Sequence, residues 1–355
     1  MRIAVHYPDG NVEHGFATRW IEALKESNVE VVPLDFLNTN IISQVRGCDG
    51  AMWHWYHFSP VDRQAAPRIL TAIGTVLDIP VFPNHATGWH YDDKVAQHYM
   101  FDAVEAPKIP SWVFWRREDA LDFINKCKYP IVCKLAIGAG SQNVLKLDSM
   151  AEARHIVDRL FGPGIIPYTM NESKHHVIPK SGHDLKTLAT RIGQGMRHIV
   201  YAESSLNPEC PFIQREYILF QEYMPGNDHD IRILVIGDRA FGFIRYNREG
   251  DFRASGSGKL DFDPEKVPLE AVQAALDTYK KNDFQSVAYD FLRSPDGRYM
   301  IGEVSYCFAD TAVYSCPGHW NGKLEWREGQ MWPQEAIVED FIEYVKAHKE
   351  NRHAG

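Results

Sequence analysis

The chain has 355 residues, with 47 acidic against 38 basic side chains and a formal net charge of −9. That length implies about two or three domains, and 45% hydrophobic with 24% charged residues excludes a disordered chain. No apolar run approaches the ~20 residues that cross a bilayer, and the acidic balance argues against a general nucleic-acid binder while leaving room for a local basic groove.

The opening run Met1–Tyr7 turns polar at Pro8-Asp9-Gly10, too soon for a secretory leader, so a cytoplasmic location is expected. Cysteines 48, 127, 133, 210, 307 and 316 form no C-x-x-C pair and read as reduced thiols. His54 with His57, and His175 with His176, have the spacing of metal ligands, but each pair lacks a nearby third ligand. Ordinary packed or surface histidines are the better reading.

Strand and helix alternate over the first ninety residues: strands at 2–7, 29–34, 50–55 and 79–83, helices at 17–27 and 68–77. This predicts an open α/β domain with a parallel sheet over residues 1–90. From Tyr91 the pattern changes. Asp92-Asp93-Lys94 opens a helix to about Val104, with the acids placed in its first turn. A strand at 111–115, a helix at 118–127, strands at 130–135 and 143–147, and a helix opened by Ser149-x-x-Glu152 give an α+β unit. Residues 162–213 read as an insertion of unassigned role, with one helix at 184–193. A third unit, 218–355, starts with strands at 218–223, 231–236 and 241–246. It continues with a helix at 268–281, a hairpin of 286–293 with 298–305, and a helix at 333–349.

Three local patterns carry chemistry. If Asp296-Gly297 is a two-residue hairpin turn, Asp290 and Glu303 lie opposite each other, with Ser305 on the same face. Two facing carboxylates need a cation between them, and Mg²⁺ suits such oxygen ligands. The alternative is an exposed acidic pair on a solvated face. Lys134 ends a strand before the small-residue loop Gly138-Ala139-Gly140-Ser141-Gln142, where glycines let backbone N–H groups approach phosphate. A plain turn is the alternative there. Gln221-Glu222-Tyr223-Met224-Pro225-Gly226, followed by Asp228, Asp230 and Arg232, offers a strand end to an adenine edge and an acid to a ribose. The alternative is a strand, a Pro-Gly turn and an ion pair.

Taken in order, Lys94, Lys134, the glycine loop, Glu222–Met224, Asp228, Arg232, Asp290 and Glu303 resemble the ATP-grasp superfamily. The resemblance is to the branch of ribosomal protein glutamate ligase, and more distantly to glutathione synthetase and D-alanine–D-alanine ligase. It spans nearly the whole chain and implies three parts: an N-terminal open parallel-sheet domain (1–90), a linker helix and central lid (91–217), and a C-terminal metal-bearing antiparallel-sheet domain (218–355).

The resemblance also implies roles. Lys94 and Lys134 would contact ATP phosphates, and Gly138, Gly140 and Ser141 would belong to the loop closing over them. Glu222, Tyr223 and Met224 would form the adenine hinge, with Asp228 on the ribose. Arg232 and Arg245 would face the phosphate end. Asp290 and Glu303 would hold Mg²⁺, with Mn²⁺ as the alternative, and Ser305 stands where the family usually has Asn. The stretch 245–259, with Arg253 and Lys259, has the cations, hydroxyls and glycines that suit a carboxylate or phosphate substrate. The implied activity is ADP-forming ligation of a small-molecule carboxylate to an amine through an acyl phosphate. The rivals are a kinase of the same fold and a nucleotide-binding regulator without turnover.

Overall fold

Ile3, Ala4 and Val5 are fully buried in the first strand, with β-branched and small side chains that fit between two covering layers. A computed structural model describes residues 1–7, 15–56, 59–138, 143–167, 213–248 and 258–354. In the first unit, β1 (Arg2–His6), α1 (Phe16–Glu26), β2 (Glu30–Leu34), α2 (Ile41–Val45), β3 (Gly50–Met52), α3 (Pro60–Thr71) and β4 (Val81–Phe82) build a parallel sheet. Its strand order is β2-β1-β3-β4. The helix expected from residue 68 begins eight residues earlier. Ser59 caps it by accepting from the Asp62 N–H at 3.1 Å, and Pro60 stands in the first turn. Pro67 lies inside this helix.

A short α4 (His85–Gly88) leads to α5 (Lys94–Ala103). The aspartates expected in the first turn of α5 precede it instead. Asp93 is its cap, accepting from the N–H groups of Val95 and Ala96 at 3.0 and 2.9 Å.

The second unit contains β5 (Ser111–Phe114), α6 (Arg117–Ile124), β6 (Ile131–Lys134), β7 (Val144–Leu147), α7 (Met150–Leu160) and β8 (Ile218–Glu222). Its antiparallel sheet has the order β5-β8-β6-β7. Phe220, fully buried, stacks on Phe123 of α6 with ring centroids 5.6 Å apart, so sheet and helices share one apolar layer. The expected boundary at 217/218 therefore falls before a strand of this second sheet. The chain crosses to the third unit only after Glu222. The helix expected at 184–193 lies outside the described residues.

The third unit has a sheet of seven strands: β9 (His229–Ile236), β10 (Arg239–Tyr246), β11 (Leu260–Asp261), β12 (Ser286–Arg293), β13 (Tyr299–Ser305), β14 (Gly318–Trp320) and β15 (Trp326–Glu328). Its main order is β13-β12-β9-β10-β14-β15, with β11 on β10. Helices α8 (Leu269–Lys281), α9 (Asp310–Tyr314) and α10 (Pro333–Ala354) complete it. Helix α10 turns Phe341 and Val345 onto the first unit so closely that a Cβ at Gly50 would meet them at 3.0 Å. Among the described residues, no helix is long and apolar enough to cross a membrane.

Tyr306, one residue beyond β13, is buried and ties this sheet to the first unit. Its hydroxyl accepts from the Trp55 N–H at 2.9 Å and donates to the Trp55 carbonyl. Tyr306→Phe strands both backbone groups, and the expected loss of stability is about 1–3 kcal/mol by chemical denaturation. An unchanged midpoint would show that the tie carries no stability.

Candidate functional site

The hairpin β12–β13 places Asp290 opposite Glu303, as the sequence implies, but by a different route. The turn is not the two-residue Asp296-Gly297. Ser294 and Arg298 still pair, with the Ser294 N–H donating to the Arg298 carbonyl at 2.8 Å, so the loop is the three residues 295–297. Gly297, with φ of 93°, supplies the left-handed position such a loop ends on. That loop shifts the register by one. A bulge then leaves Gly302 without a partner between Phe291↔Ile301 and Asp290↔Glu303, and restores the carboxylate pair.

Each of these carboxylates already meets cationic side chains of the fold. Arg232 on β9 lies directly across from Asp290 and grips both its oxygens, from Nε at 2.8 Å and from Nη2 at 2.9 Å. Arg245 on β10 faces Asp230 and grips it likewise at 2.6 Å, then reaches Asp290 at 2.7 Å. The ion pair open as an alternative near the hinge is therefore real, but Asp230 pairs with Arg245 and not with Arg232. Arg245 is 6% exposed, so its contacts are with carboxylates of the sheet. Burial pushes the Asp290 carboxyl up, but Arg232 and Arg245 outweigh it and hold it well below the ordinary carboxylate range. Asp230 is raised by burial, against the pull of Arg245.

Glu303 is met by Lys94, whose Nζ lies 3.2 Å from Oε1 and also donates to the Gly138 carbonyl at 2.6 Å. Burial alone would lower the Lys94 ammonium, but Glu303 and Asp92 outweigh it and keep it charged. Lys134 donates to the Gly302 carbonyl at 3.1 Å. Burial brings its pKa down to about 8, against Glu303 and with Lys94 adding to the fall. Asp92 accepts from the Gly138 N–H at 2.9 Å and pairs with Arg63 at 3.6 Å, which ties the base of the glycine loop to α5 and α3. Lys94, Lys134, Gly138, Arg232, Arg245, Asp290 and Glu303 thus come together from helix α5, the second unit and the third unit.

A cavity opens beside this cluster, lined among others by Lys94, Gln97, Lys134, Gln221, Ile301 and Gly302. At the hinge, Met224 is buried against Ile109 and Met300, Glu222 is exposed, and Lys146 stands 5.1 Å over the Tyr223 ring. Asp228 is not brought to the cluster. It is paired with His229 and lines a separate cleft of about 460 Å³ with Ile231, Phe291, Arg293 and Tyr299. Ile231 and Phe291 neighbour Arg232 and Asp290 along their strands, so they face the other side of the sheet. Lys259 is exposed next to β11. Gly140, Ser141 and Arg253 lie outside the described residues, as do His57, His175 and His176.

The oxygen donors fit a hard cation in part. Glu303 has one oxygen on Lys94 and can offer the other, whereas Asp290 reaches a metal only by loosening a guanidinium. The Ser305 hydroxyl is committed to Cys307, donating to its carbonyl at 2.8 Å and accepting from its N–H at 3.2 Å. Among the described residues no group of three or more His, Cys, Asp or Glu converges on one point. His54 stacks on Phe16 at 3.8 Å, and burial takes its pKa down to about 3, so it is neutral aromatic packing. Sequence reasoning missed Gln97 and Tyr306, and it quoted Gln221 in the hinge motif without giving it a role. Gln97 lies one helical turn after Lys94 and Gln221 one residue before the hinge, which are the only signals they give.

This architecture is an ATP-grasp fold. Residues 185–306 match the family model of the RimK-like ATP-grasp domain. The chain is similar to a RimK domain ATP-grasp protein from Sphaerobacter thermophilus DSM 20745, at 14% identity and a TM-score of 0.52, over 96% of this chain and 99% of that one. It is similar to D-alanine–D-alanine ligase from Bacillus anthracis, at 13% identity and a TM-score of 0.54, over 99% of both chains. It is also similar to D-cycloserine synthetase DcsG, at 13% identity and a TM-score of 0.56, over 97% of this chain and 100% of that one. No curated protein matches the sequence.

Asp290→Asn removes the anion that the buried Arg245 and the part-buried Arg232 share, and the expected cost is about 3 kcal/mol. Because the folded pKa lies below the unfolded value of about 3.9, this stabilisation is complete above that value and is lost as pH falls through the folded one. Urea denaturation at neutral pH checks it, and an unchanged or raised midpoint would refute it. Lys134, with its pKa near 8, is charged below that pH and loses its proton above it. Phosphate oxygens favour the charged form, so ATP binding at about pH 9 should take up a proton that binding at about pH 7 does not. Calorimetry in buffers of different ionisation enthalpy measures this, and Lys134→Met should remove the difference.

Proposed function

We propose that the protein is an ATP-dependent, ADP-forming carboxylate–amine ligase. The observation that carries this reading is the meeting of Lys94 with Glu303 and of Lys134 with the adjoining Gly302 carbonyl, beside the Arg232–Asp290–Arg245 network. In it, the unit with β5–β8 acts as the lid and the third unit as the base of the nucleotide site. Lys94 and Lys134 exchange their carbonyl and carboxylate partners for phosphate oxygens, and the hinge 222–224 receives the adenine. Glu303, with Asp290 beside it, would hold Mg²⁺, which supplies charge neutralisation on the transferring phosphoryl group.

In the first step a substrate carboxylate oxygen attacks the γ-phosphorus. The bond to the β,γ-bridging oxygen breaks and ADP leaves. In the second, the nitrogen of a neutral amine attacks the acyl carbon, the carbon–oxygen bond to phosphate breaks, and the nitrogen loses a proton to give the amide. The lysine ammoniums and Arg232 hold negative charge in place through both steps. Residues 245–259, with Arg253 and Lys259, are proposed to hold the carboxylate substrate. A second reading, nucleotide binding without turnover, draws on Ser305, whose hydroxyl is spent on Cys307.

ADP release measured against a panel of carboxylic acids and amines tests the proposal. A ligase needs one of each. With a carboxylate labelled with oxygen-18, one labelled oxygen should pass to the released phosphate. Turnover with an alcohol alone would make the protein a kinase, and ATP binding with no turnover across the panel would favour the second reading.

A further inference from the structure

Strand β13 is the outermost strand of its sheet, so one side of its backbone has no strand neighbour. Such unpaired groups, when buried, must be satisfied from elsewhere. At Val304, between Glu303 and Ser305, that partner is a side chain. Gln97 of α5 is 3% exposed, and its Nε2 donates to the Val304 carbonyl at 2.9 Å. The Gln97 Oε1 accepts from the Val304 N–H at 3.4 Å. The second Nε2 hydrogen goes to the His90 carbonyl at 3.2 Å. The amide thus meets β13 as a neighbouring peptide group would, with a donor and an acceptor in one plane.

Lys94 stands three residues before Gln97, on the same face of α5. One residue of the helix holds the side chain of Glu303, and the other holds the backbone immediately after it. We infer that Gln97 is a positioning residue. It fixes the height of Glu303 against α5, and so the place at which the carboxylate meets both Lys94 and a metal ion. This rests on the reading of Glu303 as a metal ligand. Few side chains can substitute. Glu keeps an acceptor but turns a carboxylate toward two carbonyls, Met keeps the length without any donor, and Asn is one methylene short of Val304.

Mn²⁺ binding, followed by the electron paramagnetic resonance signal of the free ion in the presence of the β,γ-imido analogue of ATP, tests the inference in the full chain. Gln97→Met and Gln97→Glu should weaken Mn²⁺ binding on the order of tenfold. Binding of the same analogue without metal should stay within about twofold, because Gln97 bonds the strand and not the nucleotide. Gln97→Asn, which keeps a buried amide, serves if the other two fail to fold, and it should also weaken Mn²⁺. Wild-type Mn²⁺ affinity in the folded variants would overturn the inference. So would a parallel loss of metal and metal-free nucleotide binding, the signature of a merely structural residue. Glu303→Gln separates the two levels. If it retains Mn²⁺, the metal reading itself fails, whereas if it loses Mn²⁺ while Gln97→Met retains it, only the role of Gln97 falls.

Discussion

The outer edge of β13 is the constraint on which the site depends. Over four residues its backbone is satisfied by three different parts of the chain. The Ile301 N–H donates to the Pro107 carbonyl at 2.7 Å, and its carbonyl accepts from Ile109 at 2.9 Å. The Gly302 carbonyl accepts from Lys134 of the second sheet, and Val304 meets Gln97 of α5. Just beyond, Tyr306 is tied to Trp55 of the first unit. A displacement of β13 would therefore break contacts with all three units at once. The strand that carries Glu303 also gathers the two lysines, Lys134 through the Gly302 carbonyl and Lys94 through the Glu303 carboxylate.

Charge balance follows from this assembly. Arg232, Arg245, Lys94 and Lys134 face the carboxylates Asp230, Asp290 and Glu303, which leaves one positive charge in excess if all are ionised. Arginine does not lose its proton in proteins, so the Asp230–Arg245–Asp290–Arg232 chain is a fixed feature of the sheet. The two lysines are the adjustable part. Lys94 is held charged by Glu303 and Asp92, and Lys134 sits near the pH where it titrates. In the proposed nucleotide site a triphosphate would replace the Gly302 carbonyl on Lys134, a weak acceptor for a strong one, whereas on Lys94 it would compete with the Glu303 carboxylate as well as the Gly138 carbonyl.

Much of this was legible in the sequence where the signal is local. The alternation of strand and helix gave the parallel sheet, and hairpin spacing put Asp290 opposite Glu303. That pairing held because two departures cancel. A three-residue turn shifts the register, and an unpaired Gly302 shifts it back. Glycine suits both turns and bulges, so its two roles at 297 and 302 do not separate by residue type. Strands β14 and β15 are three residues each and carry no period to detect. The sheet membership of β8 is set by pairing with strands roughly 85 to 110 residues earlier, a contact that no local pattern encodes. Gln97 was unreadable for the same reason. On a helix it is one more polar residue until the edge of β13 is placed against it.

Why a side chain and not another strand completes this edge is a question of space. A paired strand would run about 4.8 Å from β13 along its whole length. It would fill the volume in which the cavity lies, between Ile301 and Gly302 on one side and Leu219 and Gln221 on the other. Gln97 and Lys134 satisfy the same backbone atoms with the tips of long side chains, reaching in from α5 and β6. The edge is thereby closed against solvent at single points, and the cavity between those points stays open. Gly302 adds to this, since the bulge leaves its carbonyl turned to the lysine at the edge of the cavity. The bulge that repairs the register of the carboxylates is thus the same residue that shapes the space beside them.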